Sequence, residues 1–574
     1  MRNGEIAEAF EELASLYELD GAVVYRVVAY RNAAKAIREA GVSVAEMARE
    51  GRVEELAGVG KTIAEKIDAL LETGSIPSAD KLKQRIPPGL VTVTRIPGLG
   101  PKRARLLNEQ LGVTSLDDLR EAAEQGRLKD VAGFGKKAED NVLAALAAGA
   151  DGRPTARLLL SKALAVGEEL VAGLRDHPSA LRVELAGSAR RRADAVKDLD
   201  IVAATSDSKA FVDYFGTLDA VDVLHSSGEA GAKAQTHSGL PVDLRIVPEE
   251  AFGNLLQHFT GSGRHNEALR TAAVKRGLHV SEYGIADEKS GQSIACATEE
   301  EVYEKLGMQW IPPELRENRG ELAAARDGSL PELIELEDIR GDLHMHSTLS
   351  DGHASVEEMA LAALERGYEY VAITDHSATH GFGNDVQADE LLRQVQRIKA
   401  IEIDGMTVLA GTETNILPDG SLDYEDEVLE QLDWVIASLH TSFRLAEKKQ
   451  TDRMVTAMRH PLVDAIGHPT GRLIERREAY AIDIDRVIAA AVETGTFLEI
   501  NANPDRRDLN DVYAKAAVEA GAMLVIDSDA HWPRTLTNMR YGIATARRAW
   551  ITKSSVANTR PWPEVDELRK RSRR

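Results

Sequence analysis

Two aspartates separated by one residue stand in a short apolar stretch, where they could hold a divalent cation. Asp198 and Asp200 lie in KDLDIVAAT, and Asp243 lies at a similar point of LPVDLRIVP. Both stretches have the patterning of β-strands, and residues two apart on a strand point to one face. Three carboxylates on adjacent strands repel one another unless Mg²⁺ or Mn²⁺ neutralises them. An isolated Asp-x-Asp is usually a solvated strand end, but the third aspartate favours a catalytic metal site.

A glycine-serine turn precedes this pair and could bind phosphate. Gly187 and Ser188 open GSARRRADAV, and Arg191 follows with a positive charge. Main-chain N–H groups, a hydroxyl and a guanidinium are suitable partners for a triphosphate. A two-metal site can activate a 3′-hydroxyl and stabilise the pyrophosphate that leaves. These residues therefore predict nucleotidyl transfer.

The chain has only 15 histidines, yet many of them gather at predicted strand ends after residue 340. They lie in GDLHMHSTLSDG, AITDHS, ASLHTS, IGHPT and DSDAH, and AGTETN adds a glutamate that could bridge two ions. Such groups can hold two or three divalent ions, Mn²⁺ or Zn²⁺, that activate water against a phosphoester. His353, His380 and His460 fall outside the pattern and are assigned to surface or structural roles. The nine candidate ligands are His344, His346, Asp351, His376, Glu413, His440, His468, Asp529 and His531.

Three short segments share a Gly-x-Gly turn at the start of an amphipathic helix. They are LAGVGKTIAEKI (56–67), IPGLGPKRARLL (96–107) and VAGFGKKAEDNV (131–142). The glycines permit a tight turn and leave N–H groups exposed at a helix start, which suits a DNA phosphate. The alternative is a purely structural helical repeat. The candidate DNA contacts are Gly58, Gly60, Lys61, Gly98, Gly100, Lys102, Gly133, Gly135 and Lys136.

The elements that position these groups must form several domains, because 574 residues exceed one hydrophobic core. Helical repeats fill the first 150 residues, and strands mixed with helices follow. A helical patch is predicted at about 249–318, and a charged segment with Gly and Pro connects it to the remainder. From 342 onward short apolar strands alternate with helices, which indicates parallel strands closed or nearly closed as a barrel.

The net charge of -23 is unevenly distributed. Residues 1–150 carry 21 Lys and Arg against 23 Asp and Glu, so the acidity belongs to the rest of the chain. Near-neutrality at the amino terminus lets local basic turns meet phosphate, and carboxylates elsewhere can attract divalent cations or simply aid solubility. We expect no membrane span and no secretory signal. The single cysteine, Cys296, is expected to be a buried apolar residue.

The motifs of about the first 320 residues resemble those of family X DNA polymerases, the group of DNA polymerase beta. The resemblance rests on GSARRRADAVKDLDIV, VDLRIVP and HFTGSGRHNEALR. It implies a nucleotidyltransferase-type palm and a thumb, with the catalytic metals on the three aspartates. Better-known members carry Tyr where His258 stands, but Phe259 could still exclude ribonucleotides. The residues implied to bind the nucleotide are Gly187, Ser188, Arg191, His258, Phe259, Thr260, Gly261, Ser262, Asn266 and Arg270.

The first repeat resembles the amino-terminal lyase domain of that group. GVGKTIAEKID places Lys66 where the Schiff-base lysine of deoxyribose-phosphate lyases stands, and VVAYRNAA supplies Tyr30. A lysine that attacks an opened abasic sugar needs a lowered pKa, from neighbouring cations and partial burial. Lys66 lies on an amphipathic helix, where a solvated lysine is the ordinary outcome, so both interpretations stay open.

HMHSTLSDG, with TDHS, GHP and SDAH after it, resembles the polymerase and histidinol phosphatase (PHP) domain. The resemblance covers about 340–574 and implies a distorted seven-stranded (β/α)7 barrel with a trinuclear metal centre. It also implies 3′–5′ exonuclease activity, with 3′-phosphatase and abasic-site endonuclease activities as further options. All nine ligand positions match, with Asp351 where related phosphoesterases often have His, which favours a harder metal such as Mn²⁺.

Together these patterns predict a multidomain α+β and α/β enzyme that fills short gaps in DNA repair and trims 3′ ends. The expected partners are gapped or nicked DNA and dNTPs, and we expect a cytoplasmic, nucleoid-associated monomer. A hydrolase of histidinol phosphate or another small phosphoester is the first alternative, and a DNA scaffold with one decayed domain is the second. The helical repeats argue against the first, and the complete metal sets argue against the second. The predicted domains are 1–87 (lyase-like, with helix-hairpin-helix), 88–150 (fingers, with two helix-hairpin-helix motifs), 151–248 (palm), 249–318 (thumb), 319–340 (linker) and 341–574 (PHP).

Overall fold

Helices whose apolar residues recur three and four positions apart form the amino-terminal part of the chain. In the first helix Ile6, Phe10 and Leu13 share one buried face, because residues at this spacing line one side of a helix. Equivalent faces of the other helices meet in one apolar core. The helices are α1 (Asn3–Leu19), α2 (Val24–Glu39), α3 (Val44–Arg49), α4 (Lys61–Thr73), α5 (Pro77–Lys83), α6 (Pro88–Val93), α7 (Pro101–Leu111), α8 (Leu116–Glu124) and α9 (Lys136–Ala147).

Strands and helices alternate in the next segment. They are β1 (Leu158–Leu159), α10 (Leu160–Arg175), β2 (Ala180–Leu185), α11 (Gly187–Arg190), β3 (Ala195–Val196), β4 (Leu199–Thr205), α12 (Ser208–Phe215), β5 (Val221–Gly228), β6 (Gly231–Thr236) and β7 (Pro241–Ile246). A five-stranded sheet has the order β2–β4–β7–β6–β5. β4 and β7 are parallel, and the other neighbours are antiparallel. β4 is an inner strand, and Ile201 to Ala204 are completely buried, as expected for an inner strand whose two faces are covered.

The region after this sheet contains strands as well as helices. Its elements are α13 (Phe252–Thr260), α14 (Gly263–Val274), β8 (Leu278–Ser281), β9 (Gly284–Asp287), β10 (Ser293–Ile294), α15 (Glu299–Lys305) and α16 (Glu321–Asp327). β8, β9 and β10 form an antiparallel sheet. The expectation of a purely helical patch at 249–318 is therefore wrong, because strands of two to four residues are too short to show an alternating pattern.

Parallel strands separated by helices make up the carboxy-terminal part. Its elements are β11 (Gly341–Met345), α17 (Val356–Leu364), β12 (Tyr370–Ile373), α18 (Ala388–Lys399), β13 (Thr407–Asn415), α19 (Asp426–Leu429), β14 (Trp434–Ser438), α20 (Glu447–Arg459), β15 (Ala465–Ile466), α21 (Ile484–Thr494), β16 (Phe497–Asn501), α22 (Asp511–Glu519), β17 (Leu524–Asp527), α23 (Met539–Arg548) and α24 (Trp562–Leu568). The seven strands pair in sequence order, each parallel to the next. This arrangement confirms the predicted seven-stranded barrel.

The barrel is nearly closed, because its first and last strands also approach each other. Met345 and Ala530 form a parallel bridge. Side chains complete the closure: the N–H of Leu343 donates to Oδ1 of Asp527 at 2.8 Å, and the N–H of Ser528 donates to Oδ1 of Asp342 at 3.1 Å. The carboxyl ends of all seven strands therefore surround one place.

The segment predicted as a linker, 319–340, is folded onto neighbouring elements. It contains α16, in which Glu321 is completely buried, and Ile334, which is buried and whose N–H donates to the carbonyl of Ile551 at 3.0 Å. None of the helices described here is long and apolar enough to span a membrane.

The structure, a computed structural model, divides the chain into two units. The first unit comprises 1–158, 164–185 and 197–249, and the second comprises 159–163, 186–196 and 250–574. The glycine-serine turn therefore belongs to the second unit, together with the barrel. The described residues are 1–94, 96, 98–131, 134–147, 157–381 and 384–572, with Lys137 described by its main chain only.

Candidate functional site

Two of the three predicted catalytic aspartates share one face of the five-stranded sheet, and the third immediately precedes β4. Asp200 of β4 and Asp243 of β7 are register partners on adjacent parallel strands, so their side chains point the same way. Asp198 lies two residues before Asp200 and is exposed, whereas the intervening Leu199 is buried. Such a set of carboxylate oxygens fits Mg²⁺ or Mn²⁺.

Two basic residues that the sequence did not single out accompany these aspartates. Nε of Arg245 lies 2.9 Å from Oδ1 of Asp243, and Lys233 of β6 is the antiparallel register partner of Asp243. Residues two apart on a strand share a face, so the position of Arg245 in VDLR could have indicated this contact. Lys233 could not be inferred, because its place depends on the pairing of β6 with β7.

The glycine-serine turn forms the short helix α11 and continues to β3; we call Gly187–Val196 the nucleotide segment. Gly187 has φ of 62° and Arg192 has φ of 58°, a left-handed conformation that residues other than glycine seldom adopt. Nε of Arg191 lies 3.1 Å from Oε1 of Glu317, and its Nη1 donates to the carbonyl of Thr260 at 2.5 Å. The segment thus has a fixed and unusual backbone shape.

The other residues implied to bind nucleotide lie where α13 meets α14. Gly261 ends α13 with φ of 67°, and the Ser262 hydroxyl caps α14 by accepting from the N–H of His265 at 3.3 Å. The buried Asn266 amide donates to the carbonyl of His258 at 2.7 Å and accepts from Gln257 at 2.9 Å. Burial lowers the pKa of His258, so its imidazole is neutral at neutral pH. The remaining candidates on these helices are Phe259, Thr260 and Arg270.

A buried ion pair supports this junction. Arg190 donates to the two carboxylate oxygens of Glu299 at 2.9 and 2.7 Å, and Nη1 of Arg316 donates to Glu299 at 2.5 Å. Burial raises the pKa of Glu299, but the charges of Arg316 and Arg190 and their hydrogen bonds outweigh it and lower the pKa to about 2. Glu299 therefore stays ionised and joins α11 to α15.

All nine predicted ligands meet at the carboxyl ends of the barrel strands. Glu413 lies at the centre of the set, with nitrogens of His344, His376, His440 and His468 at 3.4, 2.8, 3.2 and 2.9 Å from its oxygens. Its position between these four imidazoles fits the expected bridging role.

Two further carboxylates complete the cluster. Oδ1 of Asp529 lies 3.3 Å from Nε2 of His346, and Oδ2 of Asp351 lies 3.2 Å from Nε2 of His531. Three groups of side chains have donor atoms close enough to share an ion. They are His346, Asp351, His376 and His531; His344, His346 and Asp529; and His376, Glu413 and His440.

Several side chains of the cluster have the protonation state that cation binding requires. Burial lowers the pKa of His468 to about 3, and burial together with the charges of His531 and His376 lowers the pKa of His346 to about 4. Burial raises the pKa of Glu413, but His440 and His344 outweigh it and hold the pKa well below its usual range. Nδ1 and Nε2 of His346 and Oε2 of Glu413 are buried and make no hydrogen bond with the described residues. The neutral imidazoles of His346 and His468 and the ionised Glu413 fit divalent metal ions. Burial lowers the pKa of His344 and of His531, but neighbouring carboxylates outweigh it and raise the pKa of His344 well above its ordinary value and that of His531 to about 9. A metal ion would therefore displace a proton from each of these two histidines.

Glu499 is a residue of this centre that the sequence did not reveal. Its Oε1 lies 2.6 Å from Nδ1 of His344, and its Oε2 accepts the N–H of His468 at 2.5 Å. A carboxylate on one ring nitrogen fixes the orientation of a histidine whose other nitrogen binds metal. The signal was weak, because Glu499 is one polar residue within the apolar strand β16.

The histidines excluded from the cluster differ in their surroundings. His380 is buried, and its ring stacks on that of His376 with centroids 4.6 Å apart, so it borders the metal centre. His353 is exposed and stacks on Trp532 at 4.0 Å, and Nε2 of His460 lies 3.0 Å from Asp426. Surface or structural roles stay the prediction for all three.

The Gly-x-Gly turns lie at helix starts, as the sequence predicts. Gly58 and Gly98 both have φ of 84°, and Gly60 and Gly100 are the residues that cap α4 and α7. Gly135 accepts the N–H of Ala138 at 2.9 Å in the first turn of α9. Lys61, Lys102 and Lys136 are all exposed at the first turns of these helices. Gly133 lies outside the described residues.

The lyase candidates lie in the same helical unit. Tyr30 is buried and its ring stacks on Tyr17 with centroids 5.5 Å apart, while Lys66 on α4 is half-buried. Burial raises the pKa of Tyr30. The lyase role stays a prediction. Cys296 is buried and forms no disulfide, as expected.

Comparison with known protein families identifies four segments of the chain. Family models match at 1–76 (helix-hairpin-helix domain), 90–148 (SAM-like helix-hairpin-helix tandem), 255–317 (DNA polymerase beta thumb) and 342–503 (PHP domain). The chain is thus a polymerase-type protein with helix-hairpin-helix elements and a PHP barrel, which confirms the predicted fold class.

The relatives narrow this class to one family. The DNA polymerase/3′-5′ exonuclease PolX of Bacillus subtilis is 39% identical over 100% of both chains. A probable phosphatase of Thermoanaerobacter sp. (strain X514) is 33% identical over 38% of this chain and 89% of its own, and one of Caldanaerobacter subterraneus is 35% identical over 33% and 75%. The chain therefore belongs to the PolX family of family X DNA polymerases.

Proposed function

We propose that the chain fills short gaps during DNA repair and removes nucleotides from 3′ ends. The observation that carries the synthetic activity is the register of Asp200 with Asp243 on adjacent parallel strands. The observation that carries the hydrolytic activity is the convergence of four histidines on Glu413. Family membership supports both.

In the synthetic reaction Asp198, Asp200 and Asp243 would hold Mg²⁺ or Mn²⁺. When bound, these ions supply charge that activates the 3′-hydroxyl and stabilises the departing pyrophosphate. Ser188 and Arg191 bind the dNTP triphosphate through a hydroxyl and a guanidinium. Arg245 and Lys233, on the same face of the sheet, add positive charge where the phosphates carry negative charge.

The implied sugar-side residues orient the incoming nucleotide. The junction that carries His258, Phe259 and Gly261 has a defined shape, since Asn266 ties α13 to α14. A rigid aromatic wall at Phe259 leaves little room for a 2′-hydroxyl. We therefore propose a preference for dNTPs, with Asn266 and Arg270 near the nascent base pair.

In the hydrolytic reaction the nine ligands would hold two or three ions, for which Mn²⁺ and Zn²⁺ are suited. When bound, such ions lower the pKa of a coordinated water and neutralise charge on the scissile phosphate. Glu499 orients His344, and Arg506, 3.6 Å from Asp529, adds a positive charge beside the phosphate position. The products are a nucleotide and a shortened 3′ end.

A phosphatase activity at 3′ ends is a second candidate. Two relatives that match 38% and 33% of this chain are named probable phosphatases, and a terminal phosphomonoester needs the same activated water as a phosphodiester. DNA that ends in a 3′-phosphate should therefore release inorganic phosphate. If the 3′-phosphate is retained under conditions in which 3′-hydroxyl DNA is digested, the phosphatase activity is excluded.

Gapped or nicked DNA is the proposed partner. The exposed lysines beside the Gly-x-Gly turns, Lys61, Lys102 and Lys136, would contact the DNA backbone. This local grip reconciles DNA binding with a net charge of -23. An enzyme of this kind works where the DNA is, so we propose the nucleoid as its location. The monomeric state stays a prediction.

Two point variants of the full-length protein test the assignment of the sites. Asp200→Asn should reduce primer extension on gapped DNA at least about a thousandfold, because the metal loses a charged ligand, and should leave 3′-end digestion intact. His344→Ala should strongly reduce 3′-end digestion and should leave primer extension intact. Asp219→Asn, an exposed change in the same unit, is the control. Normal extension by Asp200→Asn, or normal digestion by His344→Ala, would overturn the corresponding assignment.

A further inference from the structure

Three arginines of the barrel hold the nucleotide segment. Nη1 of Arg548, the last residue of α23, donates to the carbonyl of Arg191 at 2.8 Å. Nη2 of Arg507, which follows β16, donates to the carbonyl of Arg192 at 3.0 Å. Nη1 of Arg472, which follows β15, donates to Oδ2 of Asp194 at 2.7 Å. Three residues within four positions are therefore attached to three different elements of the barrel.

The three arginine side chains of these attachments are largely buried, whereas the Asp194 side chain is 31% exposed. The Arg507 side chain is 1% exposed and the Arg548 side chain 9%. Burial raises the pKa of Asp194, but Arg507 and Arg472 outweigh it and lower the pKa, so this carboxylate is ionised and paired. Removing one partner from such a set leaves the other charge buried without compensation. The contacts are therefore more strongly coupled than ion pairs at a surface.

The barrel arginines are themselves held in place. Nε of Arg507 donates to the Thr545 hydroxyl at 2.9 Å. Arg548 lies 2.9 Å from Glu317 and 3.1 Å from Asp511. Contacts outside the nucleotide segment thus fix their guanidinium groups. A fixed donor positions its acceptor more firmly than a mobile one does.

One attachment reaches the side chain that is proposed to bind the triphosphate. Oε1 of Glu317 accepts hydrogen bonds from both Arg191, at 3.1 Å, and Arg548, at 2.9 Å. Arg548 thus contacts the Arg191 main chain directly and its guanidinium through Glu317. At Arg192, whose left-handed φ needs support from its surroundings, Arg507 binds the carbonyl.

We propose that Arg548 and Arg507 are positioning residues for nucleotide binding, so that the barrel sets the affinity of the polymerase site for the dNTP triphosphate. This inference rests on the proposed role of Ser188 and Arg191. The barrel then has a second role besides hydrolysis, because its arginines hold the nucleotide segment in position. The barrel should therefore be required for efficient dNTP use even when its hydrolytic activity is abolished.

The test measures dNTP binding and incorporation by the full-length protein on single-nucleotide gapped DNA with a 3′-terminal phosphorothioate linkage, which resists digestion. Arg548→Ala and Asp194→Asn should each raise the KM for dNTP about tenfold or more, a typical size for coupling between sites, with kcat changed less. Binding of the gapped DNA alone and digestion of single-stranded DNA should stay within about twofold. Arg548→Lys, which keeps the charge, should recover part of the affinity. Arg540→Ala, an exposed change on the same helix α23, is the matched control.

The outcomes separate this inference from the function on which it rests. If Arg191→Ala raises the KM but Arg548→Ala and Asp194→Asn both leave it unchanged, the positioning role is overturned and the triphosphate site stands. If Arg191→Ala and Ser188→Ala also leave it unchanged, the assignment of the triphosphate site fails first. Because Arg548→Ala could destabilise the barrel, Asp194→Asn tests the attachment by a change in the nucleotide segment itself, where Asp194 is paired with Arg472 and Arg507. If the KM for dNTP rises and digestion of single-stranded DNA falls by similar factors in both variants, the inference is also overturned, since this would indicate general misfolding.

Discussion

At the scale of single residues, several buried charges are paired with opposite charges or with imidazoles. Glu299 with Arg190 and Arg316 is one such set, and Glu413 with its four histidines is another. A buried charge is costly unless it is paired, so these sets fix local geometry even where their net contribution to stability is small. These pairs place residues that we propose act on phosphate.

The Glu299 set leads to a prediction about pH. The pKa of Glu299 is about 2 in the folded protein and 4.5 ordinarily, a difference that corresponds to about 3 kcal/mol. Because the folded pKa is the lower one, this stabilisation is complete above pH 4.5 and disappears as the pH falls towards 2. Glu299→Gln should therefore lower the free energy of unfolding by about 3 kcal/mol at pH 7. Urea titrations at pH 7 and pH 3.5 would measure it.

The comparison across pH identifies the cause. The difference between the parent chain and Glu299→Gln should shrink at pH 3.5, because the parent has by then lost part of the same stabilisation. Glu300→Gln, an exposed neighbour, should have little effect at either pH. A deficit that is the same at both pH values would show that packing, and not ionisation, is responsible.

A second residue-scale prediction concerns Glu499, whose carboxylate contacts the proposed metal ligand His344. Glu499→Gln should weaken Mn²⁺ binding about 10- to 100-fold, because His344 loses the carboxylate that orients its ring. Isothermal titration with Mn²⁺ would measure the change, and Glu493→Gln, exposed on α21, serves as its control. Primer extension should be unaffected. Unaltered Mn²⁺ affinity would remove Glu499 from the metal centre.

Much of both sites could be predicted at this scale, for a physical reason. The nine barrel ligands come directly after apolar stretches, and the carboxyl ends of parallel strands meet, so sequence position alone implied proximity. Glu499 was missed because it lies inside β16, where one carboxylate between apolar residues has no distinguishing pattern. Lys233 was missed because strand register is decided by pairing, which the sequence of one strand does not contain.

At the scale of elements, the helix starts of the first unit are the features that we propose contact DNA. In two of the Gly-x-Gly turns a left-handed glycine, Gly58 or Gly98, is followed by the glycine that caps the next helix. This geometry directs main-chain N–H groups outward beside a lysine. Contacts of this type recognise the DNA backbone and not its sequence.

These turns predict a change in salt dependence. Lys61→Ala combined with Lys102→Ala should weaken binding of gapped DNA and reduce the slope of log K against log salt by about 0.9 for each lost phosphate contact. Fluorescence anisotropy between 50 and 200 mM salt would record it. Lys209→Ala, a change at an exposed lysine of α12 paired with Asp213, should leave the slope unchanged. A lower affinity at every salt concentration, with the slope of log K against log salt unchanged, would contradict a phosphate contact.

The elements that sequence patterns failed to reveal are the shortest ones. β8, β9 and β10 have four, four and two residues, which is too few for alternation to be distinguished from a helix end. The strands of the barrel are recognisable because they are buried throughout and mostly apolar. The resemblance of GSARRRADAVKDLDIV and HMHSTLSDG to known families supplied what periodicity could not, namely the order of the domains.

At the scale of the whole molecule, the second unit contains a dense group of buried imidazoles and carboxylates that metal ions would stabilise. Binding to the folded state alone raises the free energy of unfolding, by about 2.7 kcal/mol when the free metal is a hundred times its dissociation constant. Addition of Mn²⁺ to chelator-treated protein should therefore raise the melting temperature of the unit that contains the barrel. Differential scanning calorimetry would measure this rise in melting temperature.

Two variants assign this effect to the barrel. His344→Ala should reduce the Mn²⁺-dependent rise, because it removes a ligand from the cluster. Asp200→Asn should preserve most of it, since its carboxylate belongs to the sheet of the other unit. Identical melting with and without Mn²⁺ in the parent chain would mean that the cluster does not bind this ion.

The attachment of Arg472, Arg507 and Arg548 to the nucleotide segment has a consequence for how such chains evolve. A lineage that no longer needs the hydrolase can lose it through one substitution, for example at His344, without disturbing these arginines. Deleting the barrel would remove the anchors of the nucleotide segment at the same time. Selection on the polymerase alone should therefore preserve the barrel after its chemistry has gone. Genomes should then contain chains whose barrel has lost metal-binding residues more often than chains that lack the barrel.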